Sequence, residues 1–427
     1  MFSSLSIANF RTYFVGVTAS NIGSWMARTG QSWLVLMVLT DQSSTALGAV
    51  NSFMFLPSLV LAPLAGSLAD RFPKYKIMLA GQVVMGLDAI ILSTLVFTGN
   101  VQLWHVYMFA FIDGAAGAFD QPARAAFVSE IVGNQKLPNA ISLNSASFNA
   151  ARALGPGIAG VVIAVFDTGV VFAVDALSFI TMIVALLALD KKLLEPAPVQ
   201  TREQASIIGG FRYLARRPDL MVLVFIGLAV GGFGFNFIIS NAVMATQEFG
   251  RGSGEYGILG SMMGIGAVLA AMTSAWVGGF RIRFILLGMG VYTVFSAVAA
   301  FSPSYWLFAG LQVPIGFAVI MSLLGANALL QTHTAPEFRG RVLAVWGITL
   351  TGIAPVVSPT VGWLGDAVGP YSTVLFGAIC VGIALVIVTA LIMKNHQIKL
   401  RLVTNQFPPK LEAVFGPPSI GYGEPKR

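Results

Sequence analysis

Twelve apolar stretches of helix length, separated by short loops, account for nearly all of the 427 residues. A chain built this way has the lipid bilayer as its solvent, because about 20 consecutive apolar residues make one helical crossing. Only 10% of the residues are charged, against roughly 25% in a soluble domain. The spans fall at roughly 11–39, 45–69, 76–97, 101–125, 139–165, 168–189, 219–246, 255–279, 283–301, 305–331, 341–365 and 369–393. The period-two alternation of a membrane barrel is absent, so the expected class is all-α. The 46 glycines and 31 phenylalanines suit close helix packing and a lipid-facing surface.

The positions of Lys and Arg orient the chain. With the amino terminus in the cytoplasm, the inner loops hold Arg11, Arg71, Lys74, Lys76, Lys136, Lys191, Lys192, Arg202, Arg212, Arg216, Arg217, Arg281, Arg283, Arg339 and Arg341, while the outer loops hold only Arg251. That is the positive-inside pattern, and it places both termini in the cytoplasm. The net charge of +7 thus faces anionic lipid headgroups rather than nucleic acid. The short polar run Met1 to Asn9 does not read as a cleaved signal peptide. Cys380 is the lone cysteine, which excludes an intrachain disulfide.

The chain divides into an N-terminal bundle of six helices over 1–189, a cytoplasmic linker over 190–218, a C-terminal bundle of six over 219–393, and a disordered tail over 394–427. The linker carries Pro196 and Pro198, then a short amphipathic helix. In that helix Ile207, Ile208, Phe211 and Leu214 can face the membrane while Arg212, Arg216 and Arg217 reach headgroups. The tail holds Pro408, Pro409, Pro417, Pro418 and Pro425 among glycines. The halves echo each other. Span 2 ends in Gly66 to Arg71 and span 8 in Gly278, Gly279, Arg281 and Arg283; span 5 carries Gly155, Pro156 and Gly157, and span 11 carries Pro355, Ser358 and Pro359. A duplicated six-helix unit is a common transporter plan, with the cargo site between the halves.

These residues carry a family resemblance. Gly66, Leu68, Ala69, Asp70, Arg71, Lys74 and Lys76 resemble the loop 2–3 motif of the major facilitator superfamily, with Pro73 where the family has glycine. The resemblance covers residues from about 8 to 393 and implies two pseudo-symmetric bundles working by alternating access. It also implies a cytoplasmic gate at Gly66, Asp70, Arg71 and Lys74. Asp70 would cap a helix N-terminus across the two bundles, and Arg71 would pair with an acid. The alternative is that these charges anchor helix ends at the headgroups. Arg152, Gly155, Pro156, Gly157 and Gly160 resemble the span 5 motif of proton-exchanging exporters, with Ala159 replacing a glycine. Gly155, Pro156 and Gly160 permit a helix bend and close helix approach there; generic small-residue packing is the alternative. Trp25, Arg28, Gln31 and Trp33, then Asp120, Pro122 and Arg124, then Pro336, Arg339 and Arg341 look like the exporter branch of enterobactin exporters and macrolide efflux proteins.

Ionisable residues inside spans are costly in hydrocarbon and usually face a cavity or a partner. On span 4, Asp113, Gly117, Asp120 and Arg124 share one helix face, so Asp120 and Arg124 can pair. Asp113 lies two turns deeper, where a dry site favours the neutral carboxyl and suits a proton carrier. A structural hydrogen bond is the competing reading. Arg28 on span 1 and Arg152 on span 5 either pair with such acids or meet an anionic group on the cargo. Asn144, Phe148 and Arg152 share a face. Asp88 and Asp175 sit on spans 3 and 6, which the family resemblance makes peripheral, so internal hydrogen bonding is expected of them. The second half offers Asn236, Asn241, Asn327 and Gln331 but no obvious acid, and Phe233, Phe235 and Phe237 are expected to pack.

Enzyme readings find no support. No phosphate loop is present, and His105, His333 and His396 lack metal-ligand spacing. No cofactor and no metal is expected, with the proton gradient as energy source. The expected function is a secondary active exporter of an amphipathic, siderophore-like or drug-like molecule, working as a monomer in a plasma membrane of the bacterial inner-membrane type. The alternatives are a proton symporter importing a small solute, and a transport-inactive sensor.

Overall fold

Backbone N–H and C=O groups find no partners in hydrocarbon, so apolar spans become helices that satisfy them internally. The computed structural model describes residues 3–194, 207–276, 280–395, 399–403 and 410–414. The first half holds α1 (Ala8–Trp33), α2 (Ser44–Arg71), α3 (Lys74–Phe97), α4 (Leu103–Val165) and α5 (Thr168–Leu187). After a short α6 (Ile207–Ala215), the second half holds α7 (Pro218–Gly227), α8 (Phe237–Val243), α9 (Ser253–Trp276), α10 (Ile282–Ala300) and α11 (Tyr305–His333). It closes with α12 (Arg339–Thr351), α13 (Ala354–Ala367) and α14 (Pro370–Asn395).

Among the described residues, 10 helical runs are long and apolar enough to cross a membrane. The expected twelve are not matched one for one, for physical reasons. The first helix and the early part of α4 carry more polar groups than a uniformly lipid-facing span. Expected spans 4 and 5 form one helical run, α4, bent at Gly133, whose φ of 65° only glycine adopts without strain. Expected spans 7 and 11 are each broken. Wide π turns at Leu228–Phe233 and Met244–Glu248 flank α8, and Gly352 separates α12 from α13. Breaks of this kind are tolerated at membrane depth only where protein covers the freed groups.

Within the first half α1 packs on α4 and α5, and α3 packs on the same two helices. In the second half α11 packs on α9 and α10, and α10 on α14. The halves meet along α4 with α9, and along α2 with α13. Small residues set that approach. A Cβ on Gly160 would stand 2.5 Å from the Ser253 carbonyl, and one on Gly362 would run into the Ser44 carbonyl. Polar contacts reinforce it on the face away from the chain's start. Asp366, at the end of α13, accepts from Ser44 N at 2.7 Å, Thr45 N at 2.9 Å and Ser43 Oγ at 3.1 Å. It thereby caps α2 from the other half, where the helix dipole favours an anion. Deeper in, Asn51 donates to Ser358 Oγ at 2.7 Å, and Ser358 donates to Asn236 Oδ1 at 3.2 Å. Toward the opposite face Ile141 and Phe148 of α4, with Leu269 and Met272 of α9, are exposed.

The short α6 does not lie flat with its apolar side outward. Leu214 is fully buried, Tyr213 stacks on Phe338 at 4.4 Å, and the helix docks on α12. The side chains of Ile207 and Ile208, and the linker residues Pro196, Pro198 and Arg202, lie outside the described residues. The tail, expected to lack regular structure, carries an antiparallel pair, β1 (Lys399–Val403) with β2 (Lys410–Val414). Alternation of Leu400 and Leu402 with Lys399 and Arg401, and of Leu411 and Ala413 with Lys410 and Glu412, is the period of a strand. Its proline pairs, and Gly278 and Gly279 of the span 8 repeat, lie outside the described residues.

Candidate functional site

A cavity of about 370 Å³ occupies the interior of the first half. The early part of α4 supplies Asp113, Asp120 and Arg124 from a single stripe, with Gly117 between them facing open space. From α1 come Asn21, Ser24, Trp25, Arg28 and Gln31, and from α3 and α5 come Gln82, Asp88 and Asp175. The acids Asp88 and Asp175 are therefore not peripheral. They are 5% and 6% exposed and look into the same space as Asp113. Helical periodicity says which residues of one helix share a face. It does not say which helices face each other, and that is why the sequence separated these acids.

The carboxylates are held differently. Arg124 donates to Asp120 Oδ2 from Nε at 3.0 Å and from Nη2 at 2.8 Å, and Gln82 donates to Asp120 Oδ1 at 3.2 Å. Asp120 is thus a closed, satisfied ion pair. Asp175 accepts from Ser178 Oγ at 3.3 Å. Asp113 and Asp88 line the same cavity, and Asp113 Oδ1 is buried with no hydrogen-bond partner. Arg28 faces Asp113 and Asp175 and lies over the Trp25 ring at 5.1 Å. It forms no ion pair with a described carboxylate. Asp113, Asp88, Asp175 and Arg28 together line one cavity without a closed ion pair among them.

Arg152 is elsewhere. It lies on the later part of α4, between the halves, and donates from Nη2 to Asn149 Oδ1 at 2.8 Å. Gly155, Pro156 and Gly160, expected to bend a helix, keep helical backbone; the break in α4 is at Gly133. They serve close approach. Gly155 sits against Trp25, and Gly157 and Gly160 sit against α9. Among the expected gate residues, Lys74 pairs with Glu130 at 3.2 Å, inside the first half. The surroundings of Gly66 and the side chains of Asp70 and Arg71 lie outside the described residues.

The second half has a smaller counterpart of about 30 Å³, lined by Asn236, Ser240, Asn241, Tyr292 and Gln312. Its polar groups carry no charge. Asn236 donates to the Gly232 carbonyl at 3.0 Å, and Gln331 bonds to Asn327. Phe233 packs on Phe376, whereas Phe237 stacks on Trp25 of the first half at 6.5 Å.

A family model described as "Transmembrane secretion effector" matches residues 1–418. The chain is 24% identical over 253 residues to the staphyloferrin A transporter of Staphylococcus aureus, a match covering 59% of this chain and 63% of that protein, and so less than two thirds of that relative's length. It is 21% identical over 396 residues to macrolide efflux protein A of Streptococcus pyogenes, covering 88% of this chain and 96% of the other. Among solved structures, a bacterial homologue of the human lysosomal transporter Spinster, inward-facing and unoccupied, matches with a TM-score of 0.71 at 14% identity, over 90% of this chain and 96% of that one. That likeness establishes the fold.

Proposed function

Since the chain belongs to the transmembrane secretion effectors of the major facilitator superfamily, and is thus a multi-pass membrane transporter and not an enzyme, we propose that it exports an amphipathic small molecule in exchange for protons. The observation that carries this reading is the asymmetry of charge. One half encloses Asp88, Asp113, Asp120 and Asp175, whereas the central counterpart of the other, lined by Asn236, Ser240, Asn241, Tyr292 and Gln312, is uncharged, and Asp219, Arg281 and His333 of that half line a separate cavity.

Asp120 is committed to Arg124, so the proton is assigned to Asp113, whose buried Oδ1 has no partner and which shares the cavity with Asp88. Protonation of Asp113 removes one negative charge facing Arg28 and leaves Asp175 opposite it. The packing of α1, α3 and α5 around the cavity responds to that change, and the halves tilt between two arrangements. Substrate and proton need only favour different arrangements. With the amino terminus cytoplasmic, the face closed by Asp366 is the outer one, and the cavity that Phe148 lines is taken to open inward, where an exporter collects its cargo. The macrolide efflux relative supports the direction. Asp70 and Arg71 serve as the inner gate in the opposite arrangement.

Everted membrane vesicles test the reading. An acid lumen should drive accumulation of an amphipathic dye, and a proton ionophore should abolish it. Asp113→Asn, fixed in a neutral-like form, should lose gradient-driven accumulation by about tenfold or more yet keep downhill exchange. Accumulation driven by the reverse gradient would make the protein an importer. Undiminished pumping by Asp113→Asn would make Asp113 structural, with Asp120 the next acid to change.

A further inference from the structure

We propose that Arg152 binds an anionic oxygen group of the cargo, so that the transported molecule is an amphipathic anion, such as an aryl carboxylate, and not a lipophilic amine. This deepens the exporter reading and rests on it only for the place of the site, between the halves.

The argument starts from an unmet guanidinium. Arg152 is 7% exposed. It gives one N–H to Asn149, and its buried Nε has no partner. Among the described residues no carboxylate ion-pairs with it, although the same half finds Asp120 for Arg124. A buried cation left without a counter-charge is strongly unfavourable, and buried polar groups are nearly always satisfied. Arg152 thus carries an unfilled demand for an anion.

Its surroundings say what kind of anion. Arg152 shares a narrow gap with Phe235, Phe237, Met263 and Ile320 of the second half. The gap holds only about 10 Å³ in this arrangement, enough for one water. The next residue, Ala153, is the one that Gly264 of α9 packs against. Widening the gap and parting the halves are therefore one movement. One wall is a planar fork of donors that matches a carboxylate, and the other is aromatic and apolar. Such walls suit a molecule with an anionic end and a ring.

Arg28 is the weaker candidate for this role, because Asp113 and Asp175 already face it. The two arginines divide the work. Arg28 belongs to the proton group, and Arg152 to the cargo.

The test is equilibrium binding to the full chain in lipid nanodiscs, with empty nanodiscs as the blank. The probes are 2-naphthoate, 2-naphthamide and 2-naphthylmethylammonium, which share a ring and differ in charge. Naphthoate should bind at least about tenfold more tightly than the other two. Arg152→Gln should erase that preference while leaving naphthamide within about twofold of its parent affinity. Arg152→Lys should keep part of the preference, and it serves in place of Arg152→Gln if the latter does not elute as a single species. Equal binding of naphthoate and naphthamide, tighter binding of the ammonium, a preference retained in Arg152→Gln, or no saturable binding of any probe would each overturn the proposal. Binding needs no gradient. Anion preference without proton-driven flux would therefore sink the exporter reading and leave Arg152 standing, and the reverse result would do the opposite.

Discussion

Single residues in this protein are governed by the cost of charge in a low-dielectric interior. Asp120 and Arg124 meet that cost together, in a pair with side-chain exposures of 5% and 22%. Removing one partner leaves the other buried alone, which costs about 3–5 kcal/mol, whereas replacing both with apolar groups is often close to neutral. Arg124→Met should therefore lower the midpoint of thermal unfolding in detergent markedly, and adding Asp120→Leu should restore most of it. If the double variant is no better than the single one, the pair is more than a satisfied structural bridge, and Asp120 acts on something else in the cavity. This pair was legible in the sequence because a spacing of four fixes a common helix face. The meeting of Asp88 with Asp113 was not, since it depends on how α3 is turned against α4. Arg152 was legible as a costly buried cation, but its isolation from every described acid was not.

Whole elements were legible where the apolar pattern is continuous and illegible where backbone detail decides. The span limits follow from hydropathy. The π turns around α8 do not, because apolar residues continue through them and only packing selects the wider turn. The expected interface cap shows the same division. Asp70 at the end of α2 was singled out for it on the inner face. The cap that the structure describes is Asp366, at the end of α13, on the start of α2 at the other face. Its signal was present, an acid following Gly362 and Gly365 in the last turn of a span, but an acid at a helix C-terminus gives no hint of a second helix beginning beside it. A capping side chain contributes about 1 kcal/mol, and its charge at the helix dipole adds about 0.3–1 kcal/mol. Asp366→Asn keeps one acceptor and loses the charge, while Asp366→Ala loses both. In a Cys380→Ser background, spin labels at Asp41 and Val368 would report the separation of this face. The longer-distance population should grow several-fold in Asp366→Asn and further in Asp366→Ala. An unchanged distance distribution in both variants would reduce Asp366 to a local helix cap with no hold on the halves.

The molecule as a whole is two packed halves whose sides are told apart only by charge. The repeat in the sequence announced the halves, and the resemblance announced the fold, which the match over residues 1–418 bears out. What the helices alone leave open is which way up they lie in the membrane. The proposed export direction depends on that, because the face opposite Asp366 meets the cytoplasm only if the amino terminus is there too. The Lys and Arg asymmetry argues that it is. Exposed positions allow a direct test with an impermeant thiol reagent on intact cells. In the Cys380→Ser background, Asn100→Cys between α3 and α4 and Ser304→Cys before α11 sit on the Asp366 face and are exposed. Both should label from outside. Lys192→Cys and Glu337→Cys are exposed on the opposite face, and they should label only after the membrane is permeabilised. Labelling of Lys192→Cys in intact cells would invert the molecule. The closed face would then be the cytoplasmic one, the opposite face would collect solute from outside, and the acidic cavity would serve import along the proton gradient.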